Sequence, residues 1–202
     1  MQLPIGSTGG RARSVECHDG WLCLAGRSTA QQTALAFRRA DVRWYYAEVT
    51  IATWVKLKTL TTWQRVIDVG INAGLNQNTS AGTVYMTFVL KDFSNNLGFS
   101  ATKDGYSSAQ LVSASSFATA TWKHVAVVLG ASGGTLYVDG VSAGSNSALL
   151  APQGLSALDD AFIGKSQFSG DPLLDAQIDE FRVYRRALSA SEIEALFKYT
   201  GP

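Results

Sequence analysis

Apolar and polar residues alternate with a period of two along much of this 202-residue chain, the pattern of strands with one buried face. In Glu48 to Lys58, Val49, Ile51, Val55 and Leu57 share one face, and Glu48, Thr50, Lys56 and Lys58 share the other. Trp63 to Ile71 repeats the alternation with Trp63, Arg65, Ile67 and Val69 together. Thr83 to Lys91 follows through Val84, Met86, Phe88 and Leu90. Trp122 to Leu129 is apolar on both faces, as expected of a central strand buried between layers. Turn signals at Ser94-Asn95-Asn96, Asp104-Gly105, Ala131-Ser132-Gly133-Gly134 and Asp139-Gly140 divide these segments at short intervals. Closely spaced strands with no helices between them predict an all-β fold, a two-sheet antiparallel β-sandwich of jelly-roll type.

One segment breaks the pattern. Leu188-Ser189-Ala190-Ser191-Glu192-Ile193 opens a short C-terminal helix with a capping box, in which Ser189 accepts from the Glu192 amide and Glu192 reaches back. Leu188 and Ile193 stand where a hydrophobic staple needs them. Ile193, Leu196 and Phe197 then form an apolar stripe down to Gly201, a natural stop.

Composition narrows the class of function. Seventeen basic and sixteen acidic residues leave a net charge of +1, and no face gathers the basic stripe that nucleic acid binding requires, so no nucleic acid partner is expected. No apolar run approaches the ~20 residues of a membrane span, so membrane insertion is not expected. The organisation expected is an N-terminal extension over 1–13 and a single domain over 14–202. Cys17 and Cys23 would lie about 20 Å apart along a straight strand, too far to bridge. Asp19-Gly20 between them favours a reversal, and a loop of Asp19, Gly20 and Trp21 would set the cysteines face to face. A disulfide, and with it a secreted or extracellular setting, is expected; two free buried thiols are the alternative.

The order of segments resembles a known family. TIATWVKLKTL, WQRVIDVG, TWKHVAVVL, GGTLYVDG, AFIGKSQFSGD and AQIDEFRVYRRALSASEIEAL, in that order over about residues 20–200, look like the laminin-G-like jelly roll of the concanavalin A-like lectin and glucanase superfamily. The resemblance implies two antiparallel sheets packed face to face. It also implies a glycan-binding or adhesion module, often attached to a glycoside hydrolase, and a structural calcium ion. By resemblance Asp179 matches an aspartate that helps hold that ion. The usual N-terminal partner carboxylate is replaced by Ala25, with Asp19 the substitute. The apolar phase slips at Asp179-Glu180, which predicts a bulge there.

Catalysis is not expected. Glucanases on this scaffold present alternating acids on one strand, and no Glu-x-Asp-x-Glu run exists here. With only His18 and His124, neither a His-rich metal centre nor a Ser/His/Asp triad is readily assembled, and His124 reads as a packed core residue. Sugars are held by flat rings and planar polar groups. Alternation on the Trp63 strand points Gln64 and Asp68 outward. With loop residues Lys103, Asp104 and Tyr106, and Gln167, Phe168 and Asp171, it nominates Asp68, Tyr85, Tyr106 and Gln167 as ligand-facing. The function expected is a non-catalytic carbohydrate-binding module of a secreted polysaccharide-degrading enzyme, taking a polysaccharide or glycan. A protein-interaction, adhesion or spacer domain of an extracellular or virion protein is the alternative. A glucanase or polysaccharide lyase is third.

Overall fold

A computed structural model describes residues 13–17, 21–25, 28–30, 35–38, 46–71, 83–155, 158, 160–168, 170–199 and 201. The described residues form strands β1 (Arg13–Cys17), β2 (Trp21–Ala25), β3 (Ser28–Ala30), β4 (Leu35–Arg38), β5 (Val49–Leu57), β6 (Arg65–Gly70) and β7 (Tyr85–Val89). The chain continues through β8 (Asn96–Thr102), β9 (Gln110–Ser115), β10 (Trp122–Gly130), β11 (Gly133–Val138), β12 (Val141–Asn146), β13 (Asp160–Ile163) and β14 (Ala176–Tyr184) to helix α1 (Ala190–Tyr199).

These strands build two sheets. One has eight strands, ordered β1-β2-β14-β5-β10-β11-β12, with β3 also paired to β14; the other has six, ordered β4-β13-β6-β7-β8-β9. Every described pairing is antiparallel. The main core lies between the sheets. Val49, Ile51, Val55 and Leu57 of β5 and Val125, Val127 and Leu129 of β10 meet Ile67, Val69, Met86, Phe88, Leu97 and Phe99 of the six-stranded sheet. Consecutive strand residues point to opposite faces, so the alternation read from the sequence becomes an inner and an outer face for each sheet.

The central strand read in Trp122 to Leu129 is buried on both sides for a visible reason. Its inner face fills the main core, and its outer face is covered by α1 through a second cluster of Ala52, Ala126, Tyr137, Leu188 and Ile193. The capping box forms as expected. The Ser189 amide donates to Glu192 Oε2 at 2.8 Å, and the Glu192 amide donates to Ser189 Oγ at 3.3 Å. Asp139-Gly140 turns β11 into β12 with φ of 50° and 79°, the type I′ geometry that suits a two-residue hairpin.

In the β1–β2 hairpin the backbone register pairs Cys17 with Trp21 and Val15 with Cys23. The two cysteines are therefore diagonal neighbours, not the directly opposed pair expected from a loop of Asp19, Gly20 and Trp21. The side chains of Cys17 and Cys23 lie outside the described residues.

Candidate functional site

The outer face of the six-stranded sheet carries a polar cluster, and a bulge creates it. In β6, Arg65 pairs with Val89 of β7, while Ile67 pairs with Phe88, so Val66 is an extra residue in the ladder. Simple alternation would set Arg65 with Ile67 and Val69 on the core side. The extra residue shifts the phase and brings Arg65 to the same outer face as Asp68. Gln64, expected to face outward with Asp68, is instead buried, and its amide clamps the preceding turn. Its Oε1 accepts from the Thr61 amide at 3.0 Å and its Nε2 donates to the Leu173 carbonyl at 3.2 Å.

That turn holds Trp63 at φ 69°, an uncommon conformation for a large aromatic residue. The Trp63 amide donates to the Lys91 carbonyl at 2.8 Å, which helps to hold it there.

The segment after β13 folds back over this face as a compact loop, its ends joined by the Leu174 amide donating to the Gly164 carbonyl at 2.9 Å. Asp68 anchors it. Its Oδ1 accepts from Gln167 Nε2 at 2.7 Å, and its Oδ2 accepts from the Gln167 amide at 3.2 Å and from Arg65 Nε at 3.3 Å. Ser166 Oγ, with one proton to give, lies 3.2 Å from Asp68 Oδ2 and 2.8 Å from Asp171 Oδ2. Arg65 Nη2 donates to Asp171 Oδ2 at 2.8 Å, so one guanidinium serves two carboxylates. Burial pushes the Asp68 carboxyl above its ordinary value, against the pull of Arg65, Gln167 and Ser166. A Cβ added at Gly70 would come 2.6 Å from Gln167 Oε1, so any larger residue there would displace that amide.

Aromatic rings frame the cluster. The Arg65 guanidinium carbon sits 5.3 Å from the Trp63 ring centroid and 5.9 Å from that of Phe168, within cation–π range of both. Phe168 meets Tyr85 edge-on at 6.1 Å. Phe93 stands nearly perpendicular to Trp63 at 4.9 Å and is 83% exposed. Burial also raises the Tyr85 phenol, partly offset by Ser100 and Arg65.

Three of the four nominated residues therefore meet. Asp68, Tyr85 and Gln167 lie together on this face, but each is buried, at 1%, 6% and 7% exposure, and serves to seat the loop. Tyr106 is apart from them, 77% exposed in a 3-10 turn between β8 and β9, with no hydrogen bond or ring contact to the cluster. Trp63, Arg65 and Phe93 were missed. Trp63 and Arg65 fell on the wrong face because a bulge leaves no mark in a pattern of period two. Phe93 had a local signal: an aromatic residue inside the turn sequence Asp92-Phe93-Ser94-Asn95 has no strand face to pack on.

Asp179 occupies the expected bulge. The β14–β5 register breaks between Asp179 and Arg182, and Glu180 has φ 50°. On the other side β14 pairs Ile178 with Ser28 and Phe181 with Leu24, the strand neighbour of Ala25. The position expected to supply a second carboxylate is Ala25. Asp179 Oδ1 accepts from the Glu180 amide at 2.9 Å. Asp19 lies outside the described residues. Among the described residues no three Asp, Glu, His or Cys side chains gather to hold a metal. Calcium takes six to eight oxygens, and of the described carboxylates at the bulge Glu180 is engaged by Arg182 while Asp179 stands beside it.

His124 is buried on the outer face of the eight-stranded sheet, beneath α1. Its ring lies 5.4 Å from Trp54 and 6.3 Å from Phe197. Burial lowers its pKa to about 4, against the opposing pull of Asp139.

A two-sheet antiparallel jelly roll whose outer sheet face carries aromatic rings around a polar cluster is a lectin-like domain by architecture. The chain belongs to the laminin-G branch of the concanavalin A-like lectin/glucanases superfamily, whose model matches residues 19–194. No curated protein matches it. Among solved structures it is similar to domain 4 of an extracellular arabinanase from Geobacillus stearothermophilus in complex with arabinotriose. The TM-score is 0.66 and the identity 19%, over 95% of this chain and 83% of that one. It also resembles part of the NanB sialidase of Streptococcus pneumoniae, with a TM-score of 0.64 and 15% identity, over 84% of this chain and 27% of that chain. Botulinum neurotoxin type C, whose cell entry depends on two ganglioside molecules, matches with a TM-score of 0.60 and 14% identity, over 96% of this chain and 46% of that one.

Proposed function

We propose that this domain is a non-catalytic carbohydrate-binding module whose ligand surface is the Trp63–Phe93–Phe168 face of the six-stranded sheet. One observation carries the reading: the Arg65 guanidinium is held between Trp63 and Phe168 while Phe93, at right angles to Trp63, faces solvent. Flat rings with polar groups at their margin suit the C–H faces and hydroxyls of a sugar. Asp171, joined to Arg65, supplies a polar group at that margin. The arabinotriose complex of a structural neighbour and the ganglioside dependence of another support a glycan as the ligand class. They also support a setting outside the cell, beside a polysaccharide-degrading catalytic domain.

Catalysis is not part of the proposal. A glycosidase needs one carboxylic acid and one carboxylate open to the scissile bond. Asp68 is 1% exposed and accepts from Arg65 and Gln167, and Asp171 is paired with the same arginine.

A glycan panel probed with the purified chain tests the reading, with Trp63→Ala and Phe93→Ala alongside. Retention of one glycan class by the parent chain and its loss in both variants is expected. Retention unchanged in both variants overturns the assigned surface. A protein-interaction or adhesion role is the second reading, favoured by the engagement of Asp68 and Gln167 inside the protein; it predicts no retention on any glycan by folded protein.

A further inference from the structure

Phe93 is 83% exposed, yet the turn that carries it is closely tied. The Asn95 amide donates to the Asp92 carbonyl at 3.1 Å, and the Asp92 amide donates to the Asn96 carbonyl at 2.9 Å. Asp92 also acts through its side chain. Its Oδ1 accepts from the Ser94 and Asn96 amides, both at 2.8 Å, in an Asx-turn that spans Phe93. Asn95 takes φ 63°, a left-handed conformation that asparagine tolerates. The other ring is joined to the same turn through the backbone. The Trp63 amide donates to the Lys91 carbonyl at 2.8 Å, and beside it the Leu90 amide donates to the Gln64 carbonyl at 3.1 Å. Trp63 and Phe93 meet with ring centroids 4.9 Å apart and planes at 86°.

We propose that Asp92 is a positioning residue of the carbohydrate surface, fixing Phe93 at right angles to Trp63. The corner so formed takes one sugar of a single soluble chain, not the flat face of a crystalline polysaccharide. The inference rests on the glycan-binding reading above. Two rings at right angles cannot both lie against one plane. A single sugar can set its C–H face on the exposed Phe93 ring while its edge meets Trp63. Such stacking gains affinity when the ring is placed before the sugar arrives, because less freedom is lost on binding. Asp92 supplies that placement. One carboxylate oxygen orders the two amides that follow Phe93, and it acts on the sugar only through that ring. Asparagine at this position offers the same acceptor, and alanine offers none.

Calorimetry of the whole chain with arabinotriose, xylotriose, cellotriose and any other soluble glycan that the panel retains tests the proposal, beside retention on crystalline cellulose and chitin. A soluble glycan is expected to bind and the crystalline solids to retain nothing. Asp92→Ala then binds that glycan about fivefold more weakly, a loss within the coupling range of neighbouring residues. Asp92→Asn binds as the parent chain does, and Asp92→Ala adds nothing to the loss already present in Phe93→Ala. A merely structural Asp92 would leave the affinity of folded protein unchanged. Unchanged affinity in Asp92→Ala, or losses that multiply in the double variant, overturn the positioning role. Retention on crystalline cellulose or chitin overturns the ligand class and leaves the glycan-binding reading standing. Crystal structures of the parent chain, free and with the bound glycan, need no variant. They are expected to show the sugar against a Phe93 ring that keeps its place on Trp63, and a sugar seated away from Phe93 overturns the proposal. Failure of every soluble glycan and of both solids, with the protein folded, removes both readings.

Discussion

Arg65 and Asp68 lie three residues apart on one strand and share a face, with Arg65 Nε 3.3 Å from Asp68 Oδ2. A regular strand forbids this, since residues at odd separations point to opposite sides. The bulge at Val66 permits it, and the ion pair then seats a loop whose own sequence lies about a hundred positions away. Because both partners are almost wholly buried, the pair stands or falls with the hydrogen bonds around it.

Asp68→Ala removes the acceptor for Arg65 and Gln167 together and leaves the guanidinium with Asp171 alone. A loss of about 3–5 kcal/mol in urea unfolding is expected, the range for breaking a buried pair. Asp68→Asn keeps the shape and one acceptor, and costs less. A loss under 1 kcal/mol for the alanine variant would show that the loop does not depend on this anchor.

His124 makes stability depend on acid. Its folded pKa is lowered to about 4 from 6.5, so between those values the unfolded chain binds a proton that the folded chain refuses. Its contribution is complete above pH 6.5 and is lost as pH falls toward 4. The shift corresponds to about 3 kcal/mol. Urea midpoints measured from pH 7.5 to 4 should fall accordingly, and less steeply in His124→Gln. Parallel curves for the two proteins would assign the acid sensitivity elsewhere.

Ser189→Ala removes the oxygen that caps α1 and should cost about 1 kcal/mol. The helix end carries Phe197, which stacks on Trp54 at 5.5 Å. Tryptophan fluorescence therefore reports this loss in the same titration as circular dichroism. Separate midpoints for the two signals would mean that the helix undocks before the sandwich unfolds.

Phe93→Ala separates binding from stability. At 83% exposure the ring contributes little to folding, so unfolding should change by no more than about 0.5 kcal/mol. Glycan affinity should fall about tenfold, or 1.4 kcal/mol. Destabilisation well beyond that figure would place Phe93 among structural residues instead.

Calcium offers a further check. At the bulge the described residues bring Asp179 beside Glu180, whose carboxylate is paired with Arg182, and the nearby β2 position is Ala25. Thermal unfolding compared in calcium and in chelator tests the ion, and no difference between the two would remove it. A rise of several degrees with calcium would show that oxygens from beyond the described residues complete a site.

By itself the sequence determined whatever depends on neighbours a few residues away. Alternation in Glu48 to Lys58 and Thr83 to Lys91 specified strands and their buried faces, Asp139-Gly140 specified a hairpin turn, and Ser189 with Glu192 specified where the helix begins. Even the Asp179 bulge was legible, because it broke a run of apolar residues. Tertiary structure alone decided the site. The Val66 bulge interrupts no apolar run, since Val66, Ile67 and Val69 are all buried and only the register with β7 reveals which residue is extra. That register reversed the faces of Gln64 and Arg65. The loop carrying Ser166, Gln167, Phe168 and Asp171 finds its place through side-chain bonds to β6, and no local pattern encodes a contact between positions 68 and 167. Asp68 and Gln167 were recognised as outward-facing and turned out to be buried. The sheet alternation sets the direction of a side chain, but what covers it is decided by a segment far along the chain.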